Sequence, residues 1–339
     1  MPPRTFILAS RPSQLARVQT NAVVASLEAL YPPSASDSPR FEAAFKTTAG
    51  DRNQSQALSL VGGKAFWTED LETALRVGSL DILVHCLKDV PTTLPDDCVI
   101  GAILERENPV DSLIVKAGKP WKSLEELPAG SVIGTSSVRR VAQLRRKFPH
   151  LEFLDVRGNV DTRLAKLDAP DGPYAALILA KAGMVRVGLG DRLTADIPPP
   201  TLFYAVSQGA LALEIRRNDA EALELCKQLN HRETELRCLA ERACLRVLEG
   251  GCSVPVGAAT QLDLASGELE MTGCVTSLDG KRHIQHTLKE AVKSAEEAEA
   301  LGARLAKVLV DTGAGEILDE INKDRKRRVA EAQAAEAKN

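Results

Sequence analysis

The chain has 339 residues and a net charge of −3, and 44% of its residues are hydrophobic. This length suits two or three domains, and the acidic balance excludes a global basic field for binding nucleic acid. No apolar run reaches the roughly 18 residues that a membrane-spanning helix needs. The apolar stretch at 6–9 is expected to be a first strand rather than part of a signal peptide.

The cysteines and histidines restrict the chemistry that this chain can support. The seven cysteines show no CxxC spacing, and the five histidines form no HExxH motif. We therefore expect reduced thiols, a cytoplasmic location and no metal site.

The first hundred residues alternate between short apolar runs and helical periodicity. Strands are predicted at 6–9, 41–48 and 81–87, with helices at 14–30 and 64–77 between them. The run at 81–87 is almost entirely apolar, which is typical of a parallel strand covered on both faces. This order of elements predicts an α/β lobe.

A second series of the same kind follows and predicts a second α/β lobe. Its strands are predicted at 112–115, 131–134, 151–156 and 175–180, and its helices at 138–148 and 160–167. The segment 203–215 contains Ser207-Gln208-Gly209, and the sequence leaves open whether this segment returns the chain to the first lobe.

The last third of the chain has a different pattern. A helix at 233–248, ended by Gly250 and Gly251, precedes three strands and a helix at 295–310, which predicts a small α+β domain. The three strands are predicted at 254–259, 268–276 and 283–288. The charged residues 323–339 are expected to form a frayed helix or a tail.

Arginine and serine side chains recur directly after predicted strands, where open α/β sheets bind ligands. They are Arg11, Ser13, Arg139, Arg140, Arg157, Arg163 and Arg186. Ser136 or Ser137 is expected to cap the helix at 138–148, whose free N–H groups favour anions. Because arginine binds carboxylates in a bidentate manner, the pattern predicts a ligand with several carboxylates or phosphates. The charge run at 145–147 is instead expected to be a solvated helix face.

Lys88 and Asp89 end the buried strand at 81–87. A structural ion pair and a functional pair are both compatible with this position. A carboxylate among so many arginines stays ionised, so Asp89 is a poor proton donor but is suited to stabilising a developing cation.

Cys252 lies in a loop directly after Gly250 and Gly251, whereas the other six cysteines lie in or beside apolar segments. Those six are expected to be packing residues. For Cys252, a buried thiol and a site of covalent attachment both stay open. No nearby histidine supplies the base of a cysteine protease.

Seven segments in chain order resemble the porphobilinogen deaminase (hydroxymethylbilane synthase) family. They are 10–19, 48–51, 81–92, 134–140, 157–164, 208–210 and 248–255. The resemblance implies an α/β fold with two periplasmic-binding-protein-like lobes plus a small C-terminal α+β domain. The expected limits are 1–108 with 206–226 for the first lobe, 109–205 for the second, 227–322 for the domain that bears the cofactor and 323–339 for the tail.

The resemblance also implies a reaction and a set of site residues. The reaction is the head-to-tail condensation of four porphobilinogen molecules, with loss of ammonia, to hydroxymethylbilane in haem and tetrapyrrole biosynthesis. A dipyrromethane cofactor would be attached to Cys252 by a thioether, and catalysis would fall to Asp89 and Lys88. Cofactor binding would fall to Ser137, Arg139, Arg140, Arg163 and Arg186. Substrate binding would fall to Arg11, Ser13, Gln19 and Arg157.

The chain departs from the family pattern without losing a charged group. Ala65 and Cys86 replace a usual Gly and Ser, Trp67 replaces a usual Phe, and Ser207 replaces a usual Gly. Ala65 and Trp67 belong to a glycine-rich loop that is expected to cover the cleft.

Two other functions are compatible with parts of the sequence. A two-lobed binding protein for a polycarboxylate would carry no covalent adduct on Cys252, and a nucleic-acid-binding protein would use the basic helix at 138–148. The acidic balance argues against the second. We expect a monomer whose partner is the small-molecule substrate, with no nucleic acid and no membrane.

Overall fold

The computed structural model describes residues 3–32, 38–48, 65–248 and 254–336. Its strands are β1 (Thr5–Ser10), β2 (Arg40–Phe45), β3 (Ile82–Cys86), β4 (Cys98–Ile103), β5 (Asp111–Val115), β6 (Val132–Gly134), β7 (Glu152–Leu154), β8 (Ala176–Ala180), β9 (Ala195–Ile197), β10 (Leu211–Arg216), β11 (Val256–Asp263), β12 (Glu268–Thr276) and β13 (His283–Ala291). Its helices are α1 (Gln14–Leu30), α2 (Ala65–Arg76), α3 (Val138–Lys147), α4 (Val160–Asp168), α5 (Lys181–Arg186), α6 (Ala220–Lys227), α7 (Arg232–Val247), α8 (Ala295–Leu309) and α9 (Gly315–Glu336).

The elements that the sequence predicted are present, with their ends shifted by a few residues. The strands and helices that were not predicted include β4, β9 and β10, and the helices α5 and α6. The charged residues after 322 continue α9 as a helix to Glu336. The proposed stop of α7 at Gly250 and Gly251 lies outside the described residues, and the helix ends at Val247.

The two α/β lobes are built on sheets with the same strand arrangement. The first sheet has the order β2-β1-β3-β10-β4 and the second the order β7-β6-β8-β5-β9. In each sheet the first three strands are parallel and the fourth is antiparallel to both of its neighbours. This arrangement confirms the predicted class of two matching α/β lobes.

The antiparallel strand of each sheet is the one that has just crossed from the other lobe. The chain leaves the first lobe after β4 and begins the second sheet with β5, and it returns after β9 to form β10. β3 is therefore parallel to β1 but antiparallel to β10, which corrects the expectation of a strand with parallel neighbours only. The two crossing segments lie side by side, since Glu107 N–H donates to Gly209 O at 3.2 Å. The predicted residue limits of the lobes stay a prediction.

The C-terminal domain is an antiparallel sheet of order β11-β12-β13 covered by α7 and α8. The two helices pack closely at Gly302, where an added Cβ would lie only 1.9 Å from the carbonyl oxygen of Ala240. A buried apolar cluster that includes Leu236, Met271 and Leu305 joins the sheet to both helices. This domain confirms the predicted small α+β unit.

Candidate active site

The Lys88–Asp89 pair lies where β3 ends. Residues Leu87–Asp89 form one turn of 3-10 helix, held by the N–H of Leu87 on Ala210 O at 3.0 Å. This turn leaves Asp89 exposed and Lys88 half-buried. Burial lowers the pKa of Lys88, and the charge of Asp89 partly opposes that effect. The ammonium of Lys88 donates to Oε1 of Gln208 at 3.3 Å.

Arg139 and Arg140 lie in the first turn of α3, which Ser137 caps by accepting from Arg140 N–H at 3.4 Å. Both arginines are buried and share the carboxylate of Asp111, with Nη2–Oδ distances of 2.8 Å and 2.7 Å. The remaining donors reach backbone carbonyls, Phe203 O for Arg139 and Ile178 O for Arg140. Burial alone would raise the pKa of Asp111, but the two arginines hold it well below its usual range.

This burial distinguishes Arg139 and Arg140, which were expected at the anion-binding end of α3, from the other basic residues of the helix. The charge run Arg145, Arg146 and Lys147 is exposed as predicted. The first turn differs from the last because Asp111 and the crossing segments lie against it.

Arg163 and Arg186 have a different environment. Both are half-buried, and their hydrogen bonds go to backbone carbonyls: Arg163 donates to Gly158 O at 2.8 Å and Arg186 to Gly209 O at 2.6 Å. Within the described residues, neither forms an ion pair with a carboxylate. Burial lowers the pKa of Arg163 to about 10 and also lowers that of Arg186. Both guanidinium groups are therefore cations that an anionic ligand would stabilise.

The substrate residues proposed from the sequence lie on or before α1, except for Arg157. Ser13 caps α1 by accepting from Ala16 N–H at 3.3 Å, and Arg11 is half-buried just before it. Gln19 is buried on α1 and donates to Sγ of Cys86 at 3.3 Å. Arg157 is half-buried and pairs with Asp155 at 2.8 Å.

Electrostatic contacts join these residues across the two lobes. The pKa of Lys88 is shifted by the charge of Asp89 on its own turn and by those of Arg140 and Asp111 from the second lobe. The charges of Asp89 and Arg186 act in the same way on the pKa of Cys86. Those of Arg140 and Arg157 act on the pKa of Arg163. One cluster therefore contains Lys88 and Asp89 of the first lobe and arginines of the second, whereas these interactions do not include Arg11 or Ser13.

Six of the seven cysteines lie among the residues that the structure describes. Cys252 and the side chains of Ala65 and Trp67 lie outside the described residues. The other six cysteines are free thiols, and all except Cys86 are buried. Burial raises the pKa of Cys238 to about 11 and those of Cys98, Cys226, Cys244 and Cys274 to about 12. It raises the pKa of Cys86 as well. These thiols are protonated and unreactive at neutral pH.

Two site residues were missed from the sequence. Asp111 is fully buried at the start of β5, and Gln208 is 1% exposed in the returning segment. An aspartate that opens a buried strand directly after Asn108 and Pro109 was the available signal for Asp111. For Gln208, the signal was its position between Ser207 and Gly209, in a turn-like segment within an apolar run.

Metal sites and membrane-spanning helices are two further features that bear on function. The described residues contain no group of three histidine, cysteine or acidic side chains placed to hold a metal ion. None of their helices is long and apolar enough to cross a membrane.

Comparison with known proteins identifies the family. Residues 6–224 match the family model "Porphobilinogen deaminase, dipyromethane cofactor binding domain", and residues 235–311 match "Porphobilinogen deaminase, C-terminal domain". The porphobilinogen deaminase of Yarrowia lipolytica is 47% identical over 325 residues, covering 94% of each chain. That of Synechococcus elongatus is 49% identical over 320 residues, covering 94% of this chain and 96% of its own. The chain belongs to the porphobilinogen deaminase family.

Proposed function

We propose that this chain is a hydroxymethylbilane synthase, which joins porphobilinogen molecules head to tail, with release of ammonia, for tetrapyrrole biosynthesis. Family membership over 94% of the chain supports this function. The observation that carries it in the structure is an exposed carboxylate of the first lobe, Asp89, in one electrostatic cluster with Arg140 and Arg186 of the second lobe. Porphobilinogen carries acetate and propionate groups, which require such arginines.

The residues of the site fit a dipyrromethane cofactor. Arg163 and Arg186 are half-buried cations with only carbonyl partners among the described residues, so carboxylates of the cofactor would supply the missing negative charge. Ser137, Arg139 and Arg140 would complete its binding at the first turn of α3. When bound through the sulfur of Cys252, the cofactor supplies the pyrrole carbon to which the first substrate is joined.

Asp89 acts on the substrate. The protonated amino group of the aminomethyl substituent leaves as ammonia with the C–N bonding electrons, and the methylene carbon stays on the ring. Positive charge then develops on the pyrrole and this methylene, and the ring N–H becomes a stronger donor. The exposed carboxylate of Asp89 accepts that N–H and stabilises the cation. Lys88, which precedes Asp89 on the same turn, would supply the second catalytic side chain.

Arg11, Ser13, Gln19 and Arg157 would receive the incoming substrate. Arg11 and Ser13 precede α1 of the first lobe, whereas Arg157 follows β7 of the second lobe. The guanidinium groups of Arg11 and Arg157 would bind the acetate and propionate of porphobilinogen while its ring lies near Asp89. We also propose that the chain acts as a monomer in the cytoplasm, which light scattering and cell fractionation would test.

The Cys252→Ala variant tests the cofactor assignment. It should fold without any covalent pyrrole and form no tetrapyrrole, because no other cysteine of the described residues is accessible enough to replace it. Intact mass and peptide mapping would measure the adduct. The matched control is Cys238→Ala, which removes a buried thiol and should keep the cofactor. An adduct on any other cysteine, or an active chain with no adduct, would refute the assignment.

The Asp89→Asn variant tests the catalytic carboxylate. Turnover should fall by roughly 100- to 1000-fold, which is the usual effect of removing one electrostatic stabiliser of a transition state. The thermal melting temperature and the cofactor content should stay normal, because Asp89 is exposed. Near-normal turnover in this variant would exclude the role given to Asp89.

A further inference from the structure

The turn Ser207-Gln208-Gly209 lies where the two crossing segments meet. Ser207 and Gly209 have positive φ angles of 61° and 90°, and Ser207 is a non-glycine residue in that region. At Gly209 an added Cβ would lie 2.2 Å from Glu107 O, so only glycine fits. Such a backbone persists only where the surroundings determine it, and here the N–H of Ser207 donates to Glu241 at 2.6 Å.

The unusual backbone directs the Gln208 side chain between the two lobes. Its Oε1 accepts from the ammonium of Lys88 at 3.3 Å. Its Nε2 donates to Asp111 Oδ1 at 2.9 Å and to Pro109 O at 2.7 Å. The opposite amide orientation would point N–H groups at an ammonium and an oxygen at a carboxylate, so these neighbours settle which way the amide lies.

Gln208 thus connects the Lys88–Asp89 pair of the first lobe to the arginine cluster of the second. Asp111, which accepts from Gln208, also accepts from Arg140 and forms an ion pair with Arg139. We propose that Gln208 is a positioning residue of the condensation: it holds the Lys88 ammonium and sets the turn that carries Lys88 and Asp89 relative to the arginines that would hold the cofactor. This inference rests on the proposed function.

A glutamine suits this position better than the residues that resemble it. Glutamate would place a second carboxylate 2.9 Å from Asp111, and leucine would leave Lys88 and Asp111 each without one partner. A protonated glutamate, in contrast, offers a carbonyl oxygen to Lys88 and an O–H to Asp111, so it reproduces these two bonds of the amide and loses only the one to Pro109 O.

The first test is the Gln208→Leu variant of the cofactor-loaded enzyme, with rates normalised to cofactor content. We expect kcat to fall by up to about 100-fold, with a much smaller change in KM, because a displaced catalytic group costs rate rather than substrate binding. The basic limb of the pH–rate profile should move to lower pH. Losing the bond to Oε1 removes a partner that favours the charged form of Lys88. The other charged groups near Lys88 are Asp89, Arg140 and Asp111, with the Cys86 thiol, and all of them are retained.

Two further variants make the outcome decisive. Gln208→Glu should be nearly inactive at neutral pH and should regain activity relative to the parent as the pH falls. Gln143→Leu is the matched control: Gln143 is also buried, but it bonds Phe203 in the second lobe and should leave the pH–rate profile in place. If Gln208→Leu does not fold, Gln208→Asn replaces it, with a smaller fall in kcat and the same direction of the pH shift.

The outcomes separate this inference from the proposed function. If the parent chain makes no hydroxymethylbilane, the proposed function fails. If the parent makes it and the Gln208 variants keep the parent kcat and pH profile per loaded enzyme, the positioning role alone is overturned. A loss confined to stability or cofactor content, with unchanged kcat in the loaded fraction, also overturns it.

Discussion

Arg139 and Arg140 differ from Arg163 and Arg186 in what balances their charge. The first two are buried and share Asp111, whereas the second two are half-buried and donate to backbone carbonyls. All four were expected from the sequence to hold the same cofactor. The comparison separates two arginines that share a buried carboxylate from two that form no ion pair with a carboxylate among the described residues.

The difference also bears on how neighbouring arginines are stabilised when no ligand is bound. Asp111 offsets the repulsion between adjacent guanidinium groups and ties them to the crossing segments through Gln208. Arg163 and Arg186 keep donors available, and their lowered pKa values reflect a charge that burial disfavours. If these residues hold the cofactor as proposed, we expect its carboxylates to gain most of their binding free energy at Arg163 and Arg186.

The largest expected effect is on cofactor assembly. Arg163→Leu and Arg186→Leu should each slow assembly by about 10- to 100-fold, because each removes a charge-assisted contact to a carboxylate. Intact mass of freshly purified protein would measure the loaded fraction. Arg11→Leu, at a substrate position, should keep its cofactor and show a raised KM. Full loading of both Arg163→Leu and Arg186→Leu would show that these arginines do not hold the cofactor.

The next effect is on the free energy of unfolding. Here we expect the larger loss at Arg140 rather than at Arg163. Arg140→Leu should lower the free energy of unfolding by about 3 kcal/mol, because it leaves the buried Asp111 carboxylate with one arginine. Arg163→Leu should leave that free energy unchanged or raise it, because the removed cation has no carboxylate partner among the described residues. Both variants belong in a Cys252→Ala background, where cofactor binding cannot contribute. Equal losses in the two would remove the distinction between the pairs.

The smallest effect is on the pH dependence of stability. The pKa of Asp111 is depressed in the folded state by Arg139 and Arg140, so Asp111 stabilises the fold above its unfolded pKa of about 4. That contribution is lost as the pH falls further, toward the folded pKa. Chemical denaturation between pH 7 and pH 3 should show the difference between the parent and Asp111→Asn shrinking with falling pH. The difference between the parent and Arg163→Leu should stay constant there, and a parallel change in both would contradict the assignment.

The sequence predicted the parts of the fold that depend on local periodicity. The apolar runs at 81–87 and 175–180 became β3 and β8, and the helical pattern at 14–30 became α1 with the same limits. β4 and β9 were missed because each is an edge strand whose partner comes from distant sequence. β4 pairs with β10, more than 100 residues later.

The sequence by itself determined the residue types of the site: arginines after strands, an aspartate at the end of β3 and a cysteine in a glycine loop. Only the tertiary structure decided which arginines are neutralised. The side-chain pattern of α3 identified Arg139 and Arg140 as candidates for anion binding, and it holds no information on the crossing segments that bury them against Asp111. The role of Gln208 was hidden for the same reason, because its partners Lys88 and Asp111 lie about 100 residues away along the chain. Periodicity is a property of neighbours in sequence, whereas charge balance in a buried site depends on neighbours in space.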